Sequence, residues 1–196
     1  MCELFGSAPR CELNFKTDIE CLVAIILSAQ CTDKRVNIVT KTLFQKYKTV
    51  ADFANANPAE FERDIYSTGF YRNKAKNIIT ASKAILADHN GKVPTDFNLL
   101  TNLSGVGRKT AGVFTVEFLR KPAFPVDTHI TRLSHRLNLS TETTPDKIET
   151  DLKNVFEKKD WARAHLSLVL FGRYYCTARN PKCADCKLRG ICNEVK

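Results

Sequence analysis

Four of the eight cysteines lie within one short stretch, CTARNPKCADCKLRGIC, as Cys176, Cys183, Cys186 and Cys192 in a C-x6-C-x2-C-x5-C array. Four thiolates carried by a single loop can close a tetrahedral set around a metal centre, and this constrains the fold of that segment more than any other feature. Disulfides are the competing use of clustered cysteines, and they belong to oxidising compartments. The opening residues MCELFGSAPR lack a basic segment followed by a long apolar run, and the longest apolar stretch, CLVAIILSA, is too short to span a bilayer. These features predict a soluble cytoplasmic protein, nucleoid-associated if bacterial, with no signal peptide, no membrane contact and reduced thiols. Spacing alone leaves structural zinc and an iron–sulfur cluster open, although the first gap, longer than that of usual zinc-ribbon hairpins, tilts toward the cluster. Cys2, Cys11, Cys21 and Cys31 are scattered, and Cys21 reads as a small core residue.

The remaining pattern is helical almost throughout, so the predicted fold class is all-α. Ile19 to Ala29 is apolar nearly all round, as in a helix at the centre of a domain. Asp33 is placed to cap a helix on which Val36, Val39, Leu43 and Tyr47 recur at helical spacing. Asn57-Pro58 reads as an N-cap followed by proline at the first helical position. Ala75, Ile78, Ile79, Ser82, Ile85 and Leu86 form a further stripe closed by Asn90-Gly91. A short helix is expected over Asn98 to Asn102 and another from Arg108 to about Leu119. After the break at Lys121–Pro125, Asp127 can cap a helix to about Asn138. Thr144-Pro145-Asp146 starts the next helix, and Asp160 one that reaches Tyr175.

LSGVGRKTA, Leu103 to Ala111, places Gly105 and Gly107 directly before one of these helices. Glycines at that spacing let the backbone turn sharply and expose its N–H groups, and the helix start adds unpaired donors and partial positive charge. The result is a seat for an anion of phosphate type. A formal net charge of +9 points the same way, toward a polyanionic partner.

ELNF, LSAQ-TD, GFYRNKAKNI, SGVGRKTA, PVDTHI and FGRYYC with the three later cysteines resemble, in order and spacing, the endonuclease III family of helix-hairpin-helix, iron–sulfur DNA glycosylases. The resemblance covers roughly residues 12 to 192. It implies two helical domains flanking a DNA groove: a six-helix barrel over 12–121 with the hairpin at about 98–119, and a cluster domain over 1–11 and 122–196 with its loop at 176–192. It implies one 4Fe-4S cluster on Cys176, Cys183, Cys186 and Cys192. It also implies removal of oxidised pyrimidines from duplex DNA with strand cleavage at the abasic site, by a monomer.

Carried over onto this chain, the resemblance makes Lys109 and Asp127 the catalytic pair. A lysine amine is a nucleophile only when unprotonated, and the first turn of a helix beside Arg108 disfavours an ammonium. An amine can displace the base and form a Schiff base with the opened sugar, which an arginine could not do. The carboxylate would handle protons and stabilise positive charge developing on the sugar. A stacked base must first be extruded and its place filled by wedges, for which Gln30 and Phe70 are the matching residues. The amides of Gly105, Val106 and Gly107, with Arg108, would hold a backbone phosphate without reading sequence. His129, Arg179 and Lys182 complete the expected DNA contacts.

The chain departs from the family pattern at Ser104, where proline is common, at Gly112, where asparagine is frequent, and at Phe171, where histidine is frequent. Gly112 inside a helix costs about 1 kcal/mol relative to alanine. Two other functions compete. An adenine-excising glycosylase of the same fold normally lacks a lysine at this position and carries a further domain. A DNA-binding module would use the hairpin and a structural metal without chemistry.

Overall fold

The computed structural model describes residues 9–194, and Cys2 lies outside them. The chain divides into two compact units, Glu12–Leu119 and the segments on either side of it. Among the described residues every regular element is helical.

In the Glu12–Leu119 unit, α1 (Asp18–Ser28) opens with a reciprocal capping box in which Thr17 accepts from the Glu20 amide and Glu20 accepts from the Thr17 amide. Every residue from Ile19 to Leu27 is buried, as the all-round apolar sequence requires. The helix packs against α2 (Asp33–Lys46), α5 (Tyr71–Asp88) and α7 (Arg108–Glu117). Leu22 and Leu27 are almost wholly buried, and truncating either to alanine should cost about 2–5 kcal/mol. Residue 32, not 33, caps α2: the Thr32 backbone is extended and its hydroxyl accepts from the Arg35 amide at 3.3 Å. Asp33 is already helical there, and its charge favours the first turn instead.

The short α3 (Val50–Ala54) carries a second capping box between Thr49 and Asp52, and α4 (Pro58–Ile65) starts at Pro58 with Asn57 as its cap. Tyr47, Phe53 and Phe61 stack and cross edge-on, with centroids 5.2–6.1 Å apart, and so join α2, α3 and α4. The 3-10 turn Tyr66–Thr68 leads into α5. Ala75, Ile78, Ile79, Ser82 and Ile85 are buried along α5, whereas Leu86 is 42% exposed and stands off the stripe. Gly91 takes a left-handed φ of 71° and returns its N–H to Ile85 O, closing α5. The next helix, α6 (Phe97–Thr101), begins one residue earlier than its sequence suggested because Asp96 caps it, accepting from the Asn98 and Leu99 amides.

In the other unit, α8 (Thr128–Arg136), α9 (Pro145–Val155) and α10 (Trp161–Tyr174) enclose Phe124, Ile130, Leu133, Ile148, Leu152 and Leu168. Asp160 stands at the N-cap position of α10 but makes no side-chain capping bond; it ends a 3-10 turn over Lys158–Asp160, and its carboxylate pairs with Arg163 at 2.7 Å. Helices α8 and α10 pack together at Gly172, where a Cβ would lie 2.9 Å from that of His129. Larger side chains at residue 172 would drive the two helices apart.

Candidate nucleic-acid interface and metal centre

The hairpin joins α6 to α7 through Leu103–Gly107. Gly105 has φ 76°, and a Cβ there would come within 2.7 Å of the Asn77 Cβ, so both conformation and space demand glycine. Ser104, in the position where proline is common, donates its hydroxyl to Asn77 Oδ1 at 3.0 Å. That bond ties the turn to α5 and supplies a restraint in place of a proline ring. The Val106 amide donates to Leu103 O at 3.0 Å and the residue is 3% exposed, so within the turn this N–H already has an acceptor.

Gly107 is the N-cap of α7, and no side chain caps the helix. The start of the helix carries the positive end of its dipole. Lys109 occupies this first turn; it is exposed and makes no hydrogen bond or ion pair among the described residues. The Arg108 guanidinium lies 5.5 Å from the centre of the Phe97 ring, bridging the two hairpin helices.

An open hollow of about 240 Å³ lies beside the hairpin, lined by Ala29, Gln30, Phe70, Lys74, Asn77 and Gly105 among others. Gln30 follows Ala29, the C-cap of α1, and Phe70 is the residue before α5. Both are non-glycine residues in left-handed conformation, with φ 53° and 48°. Phe70 is 64% exposed, standing on a turn and not in the core. The structure thus gathers Gln30, Phe70 and Gly105, distant in sequence, around one concavity.

In the other unit, Asp127 caps α8 by accepting from the Ile130 amide at 2.9 Å through one oxygen, and it remains partly exposed. His129 lies on the same first turn, with Nδ1 3.3 Å from the Arg132 guanidinium. Arg179 and Lys182 are exposed on the cysteine loop, and the Lys182 ammonium sits 5.9 Å from the Tyr175 ring centre.

Cys176, Cys183, Cys186 and Cys192 all line one small cavity with Leu137, Phe171 and Tyr175. A series of tight turns folds the loop around it, with the Cys186, Arg189 and Cys192 amides donating to Cys183, Cys186 and Arg189 carbonyls. Arg136 donates to Cys176 Sγ at 3.3 Å and to Thr177 O at 2.9 Å. Burial alone would lower the Arg136 pKa, but the hydrogen bond to Cys176 and the nearby Cys176, Glu194 and Cys192 side chains outweigh it and leave the guanidinium raised. Among the described residues no three His, Cys, Asp or Glu side chains gather tightly enough to clasp a single ion. The fit is instead to a larger group: four thiols facing one apolar-walled cavity, with a cationic donor on one sulfur, suit an anionic polynuclear cluster.

A glycine hairpin opening a helix, beside a four-cysteine loop and with only helical elements among the described residues, marks a helix-hairpin-helix protein. Residues 23–158 match the family described as HhH-GPD superfamily base excision DNA repair protein, and residues 176–192 match the iron–sulfur binding domain of endonuclease III. Endonuclease III of Bacillus subtilis (strain 168) is 47% identical over 94% of this chain and 84% of its own length. That of Synechocystis sp. (strain ATCC 27184 / PCC 6803 / Kazusa) is 44% identical over 93% and 84%. A solved trapped endonuclease III–DNA covalent intermediate, an estranged-adenine complex, superposes with TM-score 0.94 at 42% identity, covering 98% of this chain and 91% of that one. The chain belongs to the endonuclease III family of base-excision-repair DNA glycosylases, with a 4Fe-4S cofactor. No helix among the described residues is long and apolar enough to cross a membrane.

Proposed function

We propose that this chain removes oxidised pyrimidines from duplex DNA and cleaves the strand 3′ to the abasic site, with Lys109 as nucleophile and Asp127 as its carboxylate partner. The observation that carries this is an exposed lysine, with no ion pair among the described residues, in the first turn of a helix whose N-cap is a glycine. The uncapped N–H groups and the Gly105 and Gly107 amides hold a backbone phosphate of duplex DNA, and Lys109 reaches the adjoining extruded sugar.

The neutral Lys109 amine attacks C1′ as the glycosidic bond breaks, and the base leaves with the bonding electrons and takes up a proton. The amine then loses a proton, the C1′–O4′ bond breaks with O4′ taking up a proton as the ring opens, and the C1′–N bond becomes a protonated Schiff base. That cation acidifies C2′; loss of a C2′ proton forms a C2′–C3′ double bond and expels the 3′ phosphate. Water hydrolyses the Schiff base and regenerates the amine. Asp127, anchored through one oxygen to its helix, stabilises the developing positive charge and carries protons. Gln30 and Phe70 enter the duplex to fill the place of the extruded nucleotide.

Cys176, Cys183, Cys186 and Cys192 hold the 4Fe-4S cluster, which organises the basic loop bearing Arg179 and Lys182 against phosphates. The enzyme acts as a monomer inside the cell. Borohydride reduction in the presence of abasic duplex tests the chemistry. Wild-type protein should give a covalent adduct and Lys109→Gln none; undiminished trapping in that variant removes Lys109 as the nucleophile.

A further inference from the structure

Lys74, in the second turn of α5, is only 5% exposed and plays no part in the chemistry above. Its ammonium donates to Leu27 O and to Thr68 O, both at 2.8 Å. Burial pulls its pKa below that of a free lysine. An ammonium in such a place is costly unless its partners need it, and both carbonyls do.

Leu27 lies in the last turn of α1, where the Cys31 amide bonds to Ser28 O and the Ala29 amide to Ile26 O, passing over Leu27. Thr68 ends the 3-10 turn, where the Gly69 amide returns to Tyr66 O. Each carbonyl therefore belongs to the negative end of a helical turn, and one cation serves both. Just beyond them stand Gln30 and Phe70, the two left-handed non-glycine residues of the hollow that Lys74 also lines. Such conformations persist in bulky residues only when the surroundings over-determine them.

We propose that Lys74 is a positioning residue for nucleotide extrusion: its ammonium locks the turn bearing Gln30 to the turn bearing Phe70, so that both side chains enter the duplex as one unit. The proposal rests on the wedge roles given to Gln30 and Phe70 above. It assigns to a lysine outside the Schiff-base chemistry an effect on access, not on bond making.

The test uses full-length, cluster-loaded protein and two duplexes of one sequence, one with a paired oxidised pyrimidine and one with a preformed abasic site, which costs less to extrude. Lys74→Met should slow single-turnover removal of the paired base by about tenfold, while borohydride trapping at the abasic site changes by less than about threefold. Fluorescence of 2-aminopurine placed beside the lesion, which reads unstacking without chemistry, should fall in parallel. In a Gln30→Ala/Phe70→Ala background, the effect of Lys74→Met should shrink to within about twofold, because its targets are gone. Equal loss on both duplexes, or the same loss in that background, overturns the proposal and leaves Lys109 untouched. Absence of any adduct with wild-type protein overturns the Lys109 chemistry instead, and the fluorescence still decides Lys74. If Lys74→Met does not fold, Lys74→Arg, whose wider planar head displaces both turns, is carried through the same comparison.

Discussion

In the Glu12–Leu119 unit, nine consecutive residues of α1, Ile19 to Leu27, are buried, and Gln30, Phe70 and Gly105 project from the ends of helices that this core fixes. The cysteine loop is built otherwise. From Tyr174 to Glu194 no residue is fully buried, and the backbone is held by tight turns, by Arg136 and by Asn193, whose amide donates to Arg136 O at 2.8 Å. Apolar burial orders the first region whether or not a cofactor is present. The second has too little burial to offset its chain entropy, so ligation must supply the difference. Of the two surfaces proposed above to meet DNA, one is therefore intrinsic to the chain and the other conditional on iron.

The largest expected effect falls on the intrinsic surface. Lys109→Gln should lower base removal by at least about a thousandfold, while the melting curve stays near that of wild type, because the side chain is exposed and unpaired. Cys186→Ser tests the contrast itself. Hydrogen exchange across 176–194 should lose protection and cluster affinity should fall by about 10–100-fold, with α1 and α5 protected as before. Equal loss of protection in α1 would break the comparison. Gly105→Ala comes next: with a left-handed φ and Asn77 in the way, it should cost about 2–3 kcal/mol in chemical denaturation.

The smallest effect is acid-dependent and confined to the metal-free unit. The Asp52 carboxylate accepts from the Lys48 and Thr49 amides at 2.9 Å, and these bonds, followed by the Thr49 hydroxyl, hold its pKa below the ordinary value. A depressed carboxyl contributes stability above its unfolded pKa and loses it as pH falls through the folded one. Asp52→Asn should therefore cost about 0.5–1 kcal/mol at neutral pH, kept small by solvent exposure, and the difference should close in acid.

Helix positions were legible because periodicity and caps are local: Asn57-Pro58, Asp127 and the buried stripe of α5 all stand where the sequence put them. Thr32 displaced Asp33 because two adjacent residues could both cap, and only backbone geometry chooses between them. The Val106 amide could not be judged from glycine spacing, since its acceptor, Leu103 O, is defined by the closed turn. Phe70 could be assigned to a turn from Gly69 but not to a hollow shared with Gln30, which needs the tertiary fold. Lys74 was missed altogether. A lysine within GFYRNKAKNI looks solvated in sequence, and its sole signal there is its place one residue before the buried Ala75.

Gly172 lets α8 and α10 approach closely, and Arg132 of α8 reaches across to the carbonyls of Gly172 and Cys176, at 2.7 and 3.0 Å. The helix that begins at Asp127 is thus clamped at its middle to the strand of chain that enters the cysteine loop. Slackening at the sulfurs would turn into wobble at the Asp127 carboxylate, five residues upstream of Arg132 and proposed above to carry protons. A cluster that never exchanges an electron would still set how sharply that carboxylate is aimed.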